Sequence, residues 1–227
     1  MLHLKINGLP VEAPEGSTVL EAAVQNGINI PTLCYLKDCN MIGACRVCLV
    51  EIKGGRGLTA SCCMPASEGM EVFTNSEKVR AARKFVVELI LSDHERTCLT
   101  CPRSRTCELR ALAEELGVRD IPYDAPHSHK TVDEVSPSIV RDNNKCILCR
   151  RCVAMCEKVQ KIGAIGAQNR GYKTEIGSPF RHSLADVNCI NCGQCAAVCP
   201  TAAITIKNDT DKVWKAIHDP NKRVVFQ

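Results

Sequence analysis

A chain of 227 residues is long enough for one or two ordinary domains, but 17 of its residues are Cys and it has only one Trp, three Tyr and four Phe, which excludes a large aromatic core and points to small units held by cross-links or metals. The formal charge of +4 is not a nucleic-acid signature, because no long basic run or basic–aromatic stripe accompanies it. An export signal is absent from Met1 to Gly8, the cysteine count is odd and most cysteines fall at two- or three-residue spacings, which argues against a disulfide framework and for a reducing, cytoplasmic setting.

Residues 1–75 read as one compact unit. Leu2–Ile6 and Leu9–Ala13 flank Asn7-Gly8, a two-residue hairpin signal. Thr18 and Glu21 form a capping box for the helix that follows, and Gly27 is placed to end it. Val47–Lys53, a turn at Gly54-Gly55-Arg56-Gly57, and Leu58–Ser61 read as a second hairpin, and Met70–Phe73 as a closing strand. A small mixed sheet crossed by a helix is expected.

Residues 76–93 read as a helix with Val79, Ala82, Val86, Leu89 and Ile90 on its apolar face. Its best apolar run, Phe85–Leu91, is interrupted by Glu88 and falls short of the roughly 20 residues a membrane span needs. Residues 94–107 are a cysteine-rich loop, and Glu108–Leu116 is a short helix stopped by Gly117. With Pro122, Pro126, Pro137, His127 and His129, residues 121–138 read as a linker that crosses a surface. Residues 139–207 contain an internal repeat, each half preceded by a short apolar strand, and 208–227 form a tail: a helix over Lys212–Ile217, a turn at Asp219–Asn221, and a strand over Arg223–Phe226.

The repeat carries the strongest chemical signal. Cys146, Cys149, Cys152 and Cys156 match Cys189, Cys192, Cys195 and Cys199 in spacing. Three thiolates at two-residue spacing surround one [4Fe–4S] core, and the fourth cysteine of each run reaches the other. The assignments are therefore Cys146, Cys149, Cys152 and Cys199 to one cluster, and Cys189, Cys192, Cys195 and Cys156 to the other. The second run ends in Cys199-Pro200, whereas the first ends in Cys156-Glu157 and lacks the proline. Zinc would also accept four thiolates, but two complete overlapping runs favour iron–sulfur.

A second constellation is Cys34, Cys45, Cys48 and Cys62. Short loops with a distant last ligand suit a [2Fe–2S] cluster, although the first gap is longer than in plant-type ferredoxins. Cys39 rivals Cys34, Cys63 rivals Cys62, and Gly43 lets the backbone bend around the site. The third constellation is Cys98, Cys101 and Cys107, which need a fourth donor to hold a cubane. His94 lies one helical turn before Cys98, so it reads either as that donor or as a helix cap. His3, His127, His129, His182 and His218 read as surface residues. No dinucleotide fingerprint, phosphate loop or catalytic triad is present. If about 15 cysteines ligate as thiolates, the loaded protein carries a net charge near −3 by formal counting.

Taken together, the pattern resembles the accessory electron-transfer half of [FeFe] hydrogenases. It is also similar to the N-terminal part of the large iron–sulfur subunit of NADH:quinone oxidoreductase. The resemblance implies an α+β chain of three modules: a β-grasp [2Fe–2S] ferredoxin-like domain over 1–75, a small helical His/Cys3 [4Fe–4S] domain over 76–120, and a bacterial-type two-[4Fe–4S] ferredoxin domain over 139–207. It assigns Cys34, Cys45, Cys48 and Cys62 to the [2Fe–2S] cluster, leaving Cys39 and Cys63 free. It also makes His94 a ligand with Cys98, Cys101 and Cys107, for one [2Fe–2S] and three [4Fe–4S] clusters in all. A catalytic hydrogenase domain or other catalytic subunit is the implied partner on one side, and a ferredoxin or a flavin/NADH-oxidising subunit on the other. A short subunit of a formate or NADH dehydrogenase complex is the alternative, with a redox sensor behind it. The cysteine motifs of a hydrogenase catalytic site are absent from this sequence, so no catalytic residue is assigned.

Overall fold

The computed structural model describes residues 1–123 and 130–225; Pro126, His127, His129 and Phe226 lie outside the described residues. Strands β1 (Leu2–Ile6) and β2 (Leu9–Ala13) pair antiparallel. Asn7 and Gly8 between them take φ of +52° and +83°, the left-handed pair that a tight hairpin demands. Along both strands the inward positions Leu4, Ile6, Val11 and Ala13 are buried, the period-2 pattern of a sheet with one covered face. Helix α1 (Val19–Gln25) supplies the cover, with Val19, Leu20, Ala22 and Ala23 buried. Its start is fixed by the capping box: Thr18 Oγ1 accepts from the Glu21 amide and Glu21 accepts from the Thr18 amide, an arrangement worth about 1 kcal/mol.

Strands β3 (Leu49–Ile52) and β4 (Leu58–Ala60) form the second hairpin. Strand β5 (Glu71–Phe73) closes the sheet, parallel to β1 and antiparallel to β3. The order β2-β1-β5-β3-β4, with α1 across one face, is the expected β-grasp arrangement. β3 starts two residues later than the sequence pattern suggests, because Val47 and Cys48 turn inward and the Cys48 carbonyl accepts from both the amide and the hydroxyl of Ser61.

Helix α2 (Glu77–Ser92) is capped by Ser76, whose hydroxyl accepts from the Val79 amide. Its covered face differs from the expected one. Val79, Arg83 and Val87 are buried one turn apart, whereas Leu89 is exposed. Arg83 belongs inside because its guanidinium donates to the Leu49 carbonyl at 2.7 Å, where the end of β3 would otherwise leave an acceptor unpaired. Helix α3 (Glu108–Glu115) ends at Leu116 and Gly117, the glycine at φ +63°. One core runs from the first unit through α2 and α3 to the repeat: Leu33, Val47, Val87, Leu109 and Leu112 pack with Cys34, Cys45 and Cys149.

The stretch read as a surface linker contains a strand, β6 (Val132–Asp133), which pairs with β7 (Ile139–Asp142). Between these strands Ser136 is fully buried. After β7 come α4 (Arg151–Ala154), the hairpin β8 (Gly166–Gln168) and β9 (Glu175–Gly177), α5 (Gln194–Ala197) and β10 (Ile204–Ile206), which pairs with β7. The first repeat directly follows a strand, β7; no strand lies over 178–188, directly before the second, and β10 comes after it. Arg141 crosses this unit, donating to the Ile176 carbonyl at 2.7 Å and pairing with buried Asp133 at 3.5 Å. Helix α6 (Thr210–His218) and the turn at Asp219 are as expected, but residues 223–225 form no strand. His3, His182 and His218 are exposed. Among the described residues no helix is long and apolar enough to cross a membrane.

Candidate iron–sulfur sites

The loop between α1 and β3 carries Cys34, Cys45 and Cys48, and Cys62 follows β4; all four are buried. Cys34 meets Cys45 and Cys62, and Cys62 also meets Cys48. These contacts split the thiols. Hydrogen bonds from Cys45 and then Cys62 pull Cys34 strongly towards the thiolate, and one from Cys62 pulls Cys48 the same way. Cys45 and Cys62, as the donors, are held as thiols. Four buried sulfurs that cannot ionise together without a cation among them suit an iron–sulfur core, which supplies that charge.

The backbone is bent to serve the same point. Gly43 and Arg46 take φ of +61° and +55°, and the Cys45 amide donates to Cys34 Sγ at 3.5 Å. Successive amides aimed at one position form an anion-binding concavity. Of the two rivals, Cys39 is buried and lends its carbonyl to Lys158 Nζ at 2.9 Å. Cys63 is exposed, with its sulfur 3.6 Å from Cys62 Sγ. A Cβ on Gly43 would lie 3.1 Å from Cys63 Sγ. Gly43→Ala is therefore expected to destabilise the first unit by about 1–2 kcal/mol, the cost of a left-handed L-residue, read as a lowered urea midpoint at unchanged slope.

His94 follows Asp93, the residue that caps α2. Its side chain makes no capping bond: the ring is buried and Nδ1 has no hydrogen-bond partner. Burial, with the nearby Lys145 charge, brings its pKa down to about 4. A neutral buried imidazole with an unpartnered nitrogen has the chemistry of a metal ligand. Cys98, Cys101 and Cys107 sit in the following turns, where burial pushes the Cys107 thiol up and the other two sulfurs add to the effect. Lys145 reaches both His94 and Cys101 with its charge.

The repeat encloses two cavities. Cys146, Cys149, Cys152 and Cys199 line the first with Ile176 and Ile204; Cys156, Cys189, Cys192 and Cys195 line the second with Ile165 and Leu184. In each run the same two positions are left-handed: Leu148 and Arg150 in one, Asn191 and Gly193 in the other. Bulky Leu148 there costs of order 1–2 kcal/mol, offset by what the loop wraps. Burial raises Cys146 to about 11, Cys149 to about 12 and Cys195 to about 11. Cys152 feels Cys195 as well as its own set, so the cavities are neighbours. Among the described residues no group of three or more His, Cys, Asp or Glu is placed to hold a metal ion; two of the four sets surround cavities instead.

Bonds between the units carried no signal in the sequence, since each depends on which residues meet across the fold. Glu108 donates its amide to the Pro200 carbonyl at 2.9 Å and pairs with Arg151 at 2.7 Å. Arg103 donates to the Cys199 carbonyl at 3.1 Å, and the Glu95 amide to the Asn144 carbonyl at 3.0 Å. Asn40, from the first unit, reaches the Cys149 carbonyl.

Residues 1–77 match the 2Fe-2S iron-sulfur cluster binding domain, 83–122 the NADH-ubiquinone oxidoreductase-G iron-sulfur binding region, and 145–203 the 4Fe-4S dicluster domain. The NADP-reducing hydrogenase subunit HndD of Solidesulfovibrio fructosivorans is 45% identical across 100% of the chain, which spans 40% of that relative. Iron hydrogenase 1 of Clostridium pasteurianum is 36% identical over 99% of the chain and 39% of its own length. Among solved structures, a chain from an NAD+-reducing [NiFe]-hydrogenase in the H2-reduced state superposes with a TM-score of 0.84 at 29% identity, over 91% of this chain and 87% of that one. The chain thus consists of ferredoxin-type [2Fe–2S] and [4Fe–4S] domains.

Proposed function

We propose that this chain, a homologue of the iron–sulfur region of [FeFe] hydrogenases and of the G subunit of NADH:quinone oxidoreductase, relays single electrons to a catalytic site held elsewhere. Cys34, Cys45, Cys48 and Cys62 would hold one [2Fe–2S] cluster. His94 with Cys98, Cys101 and Cys107, and the two cysteine sets of the repeat, would hold three [4Fe–4S] clusters. Such groups supply one-electron carriers whose potentials follow ligand type, hydrogen bonding and burial.

The observation that carries this reading is where the inter-unit bonds land. Asn40 reaches Cys149 from the first unit, while Arg103, Glu108 and Glu95 reach Cys199, Pro200 and Asn144 from the second. Two inputs therefore converge on the Cys146/Cys149/Cys152/Cys199 set. Beyond it, Gly193 of the Cys156/Cys189/Cys192/Cys195 set lies against Ile206 at the end of β10, and α6, whose Val213, Trp214 and Ile217 are exposed, follows β10 in the chain. A ferredoxin or a flavin/NADH-oxidising subunit would serve the inputs, in the cytoplasm, and a catalytic hydrogenase domain or other catalytic subunit the far end.

Anaerobically prepared protein is expected to contain about 14 iron atoms per chain with matching acid-labile sulfide. Redox-titrated EPR should resolve both [2Fe–2S] and [4Fe–4S] signals; a single reducible cluster type would overturn the reading. His94→Cys should keep the iron count and lower the potential of its own site alone, because a thiolate adds negative charge where the imidazole had none. The isolated chain should evolve no hydrogen.

A further inference from the structure

We propose that Asn40 is the positioning residue that sets the rate of electron exchange between the first unit and the repeat, an inference that rests on the ligand assignment above. Asn40 lies in the loop between Cys34 and Cys45 and is only 2% exposed. A carboxamide so deeply buried needs its hydrogens taken up, and both are. Asn40 Nδ2 donates to the Cys34 carbonyl at 2.8 Å and to the Cys149 carbonyl at 3.0 Å. Two carbonyl acceptors fix the amide orientation, since only the NH2 group can serve both.

The bond is unusual in what it joins. Cys34 and Cys149 are 115 positions apart in sequence, roughly half the chain, and belong to different candidate ligand sets. One nitrogen ties their main chains together through carbonyl oxygens that are each three covalent bonds from a Cβ that carries a sulfur. Asn40 is itself held from behind: its amide donates to the Leu36 carbonyl at 2.8 Å and its carbonyl accepts from the Leu36 amide at 3.0 Å. Lys158 Nζ, bonded to the Cys39 carbonyl at 2.9 Å, adds a second tie beside it. Around these bonds Leu33, Val47, Cys34, Cys45 and Cys149 share one core, which excludes water from the gap.

The consequence is a fixed separation between the two sets. In the exchange, one electron leaves the reduced site at Cys34 and reduces the oxidised site at Cys149; no proton moves and no other reactant is consumed. A side chain of the wrong donor pattern here leaves two buried carbonyls unpaired and lets the loops part. Positional slack of about 1 Å at a reacting pair lowers rates by roughly tenfold or more.

The test uses the full, cluster-loaded chain with Asn40→Asp, equal in size but with no hydrogen for either carbonyl, and Asn40→Ala. Iron content and the EPR line shapes of each site should match the parent in both variants; both midpoint potentials should match in Asn40→Ala, whereas the added carboxylate of Asn40→Asp should lower them. The magnetic coupling between the two reduced sites should weaken, and freeze-quench EPR after sub-stoichiometric reduction should show their equilibration slowed by roughly tenfold. Lys158→Ala should leave the rate within about twofold of the parent, because Lys158 bonds the carbonyl of Cys39, which belongs to neither ligand set, whereas Asn40 bonds the carbonyls of a cysteine from each. Unchanged coupling and rate in fully loaded variants would overturn the proposal. So would loss of the [2Fe–2S] signal in both variants, which would make Asn40 a folding residue of its own loop. A parent chain without the two signals would instead overturn the ligand assignment itself.

Discussion

A Cys199→Ala chain is expected to lose about four of its roughly 14 iron atoms and to stop relaying electrons from either input, while the other sites stay reducible. The cysteine lies where the second unit grips the repeat: Arg103 donates to its carbonyl, and the next carbonyl, of Pro200, takes the Glu108 amide. Alanine keeps both carbonyls and removes only the sulfur, so the backbone ties survive the change. What goes is the fourth wall of the cavity lined by Cys146, Cys149 and Cys152. Because the inter-unit bonds converge on this set, its loss cuts both inputs at one point. Stopped-flow reduction from the donor side should show the [2Fe–2S] and His94 sites reduced but the Cys189 set left oxidised. Reduction of that set at the parental rate would show that the inputs bypass Cys199.

Stripping iron and sulfide from the protein under mildly oxidising conditions is expected to unfold residues 94–107 and 139–207 and leave much of the β-grasp sheet protected. The difference lies in what each core is made of. The first core holds Leu4, Ile6, Val11, Val19, Leu20, Ile30, Val50 and Val72, and only two of its buried members, Cys48 and Cys62, are cysteines. In the repeat, Cys152 and Cys199 are core residues, and Cys146, Cys156, Cys189 and Cys195 pack against them. The rest is a handful of aliphatic side chains and short elements such as α4 and α5, four residues each. Structural metal sites supply about 10 kcal/mol or more of folding free energy in small domains. A whole domain is held by only about 5–15 kcal/mol. Hydrogen exchange on the stripped protein should show amide protection lost across 139–207 and kept in β1, β2 and α1. Full cooperative unfolding of the stripped chain would contradict this.

Local chemistry was legible in the sequence. Asn7-Gly8 must turn, Thr18 and Glu21 must cap, and Gly117 must stop a helix, because each effect is decided within a few bonds. The cysteine spacing of the repeat likewise follows from backbone reach, and the four members of each set line one cavity. Long-range facts were not legible. The buried face of α2 was misread at Leu89 because periodicity does not tell which neighbour arrives, and the neighbour proved to be an unpaired carbonyl that wanted Arg83. The role of β6 was hidden because two residues pair only when β7 lies alongside.

The sequence alone thus determined which donors are on offer and at what spacing, since both are properties of a short stretch of chain. Only the tertiary structure decided which donor sets are neighbours, through Asn40, Arg103 and Glu108. Contacts between residues far apart in sequence depend on how whole units pack, and no local pattern encodes that.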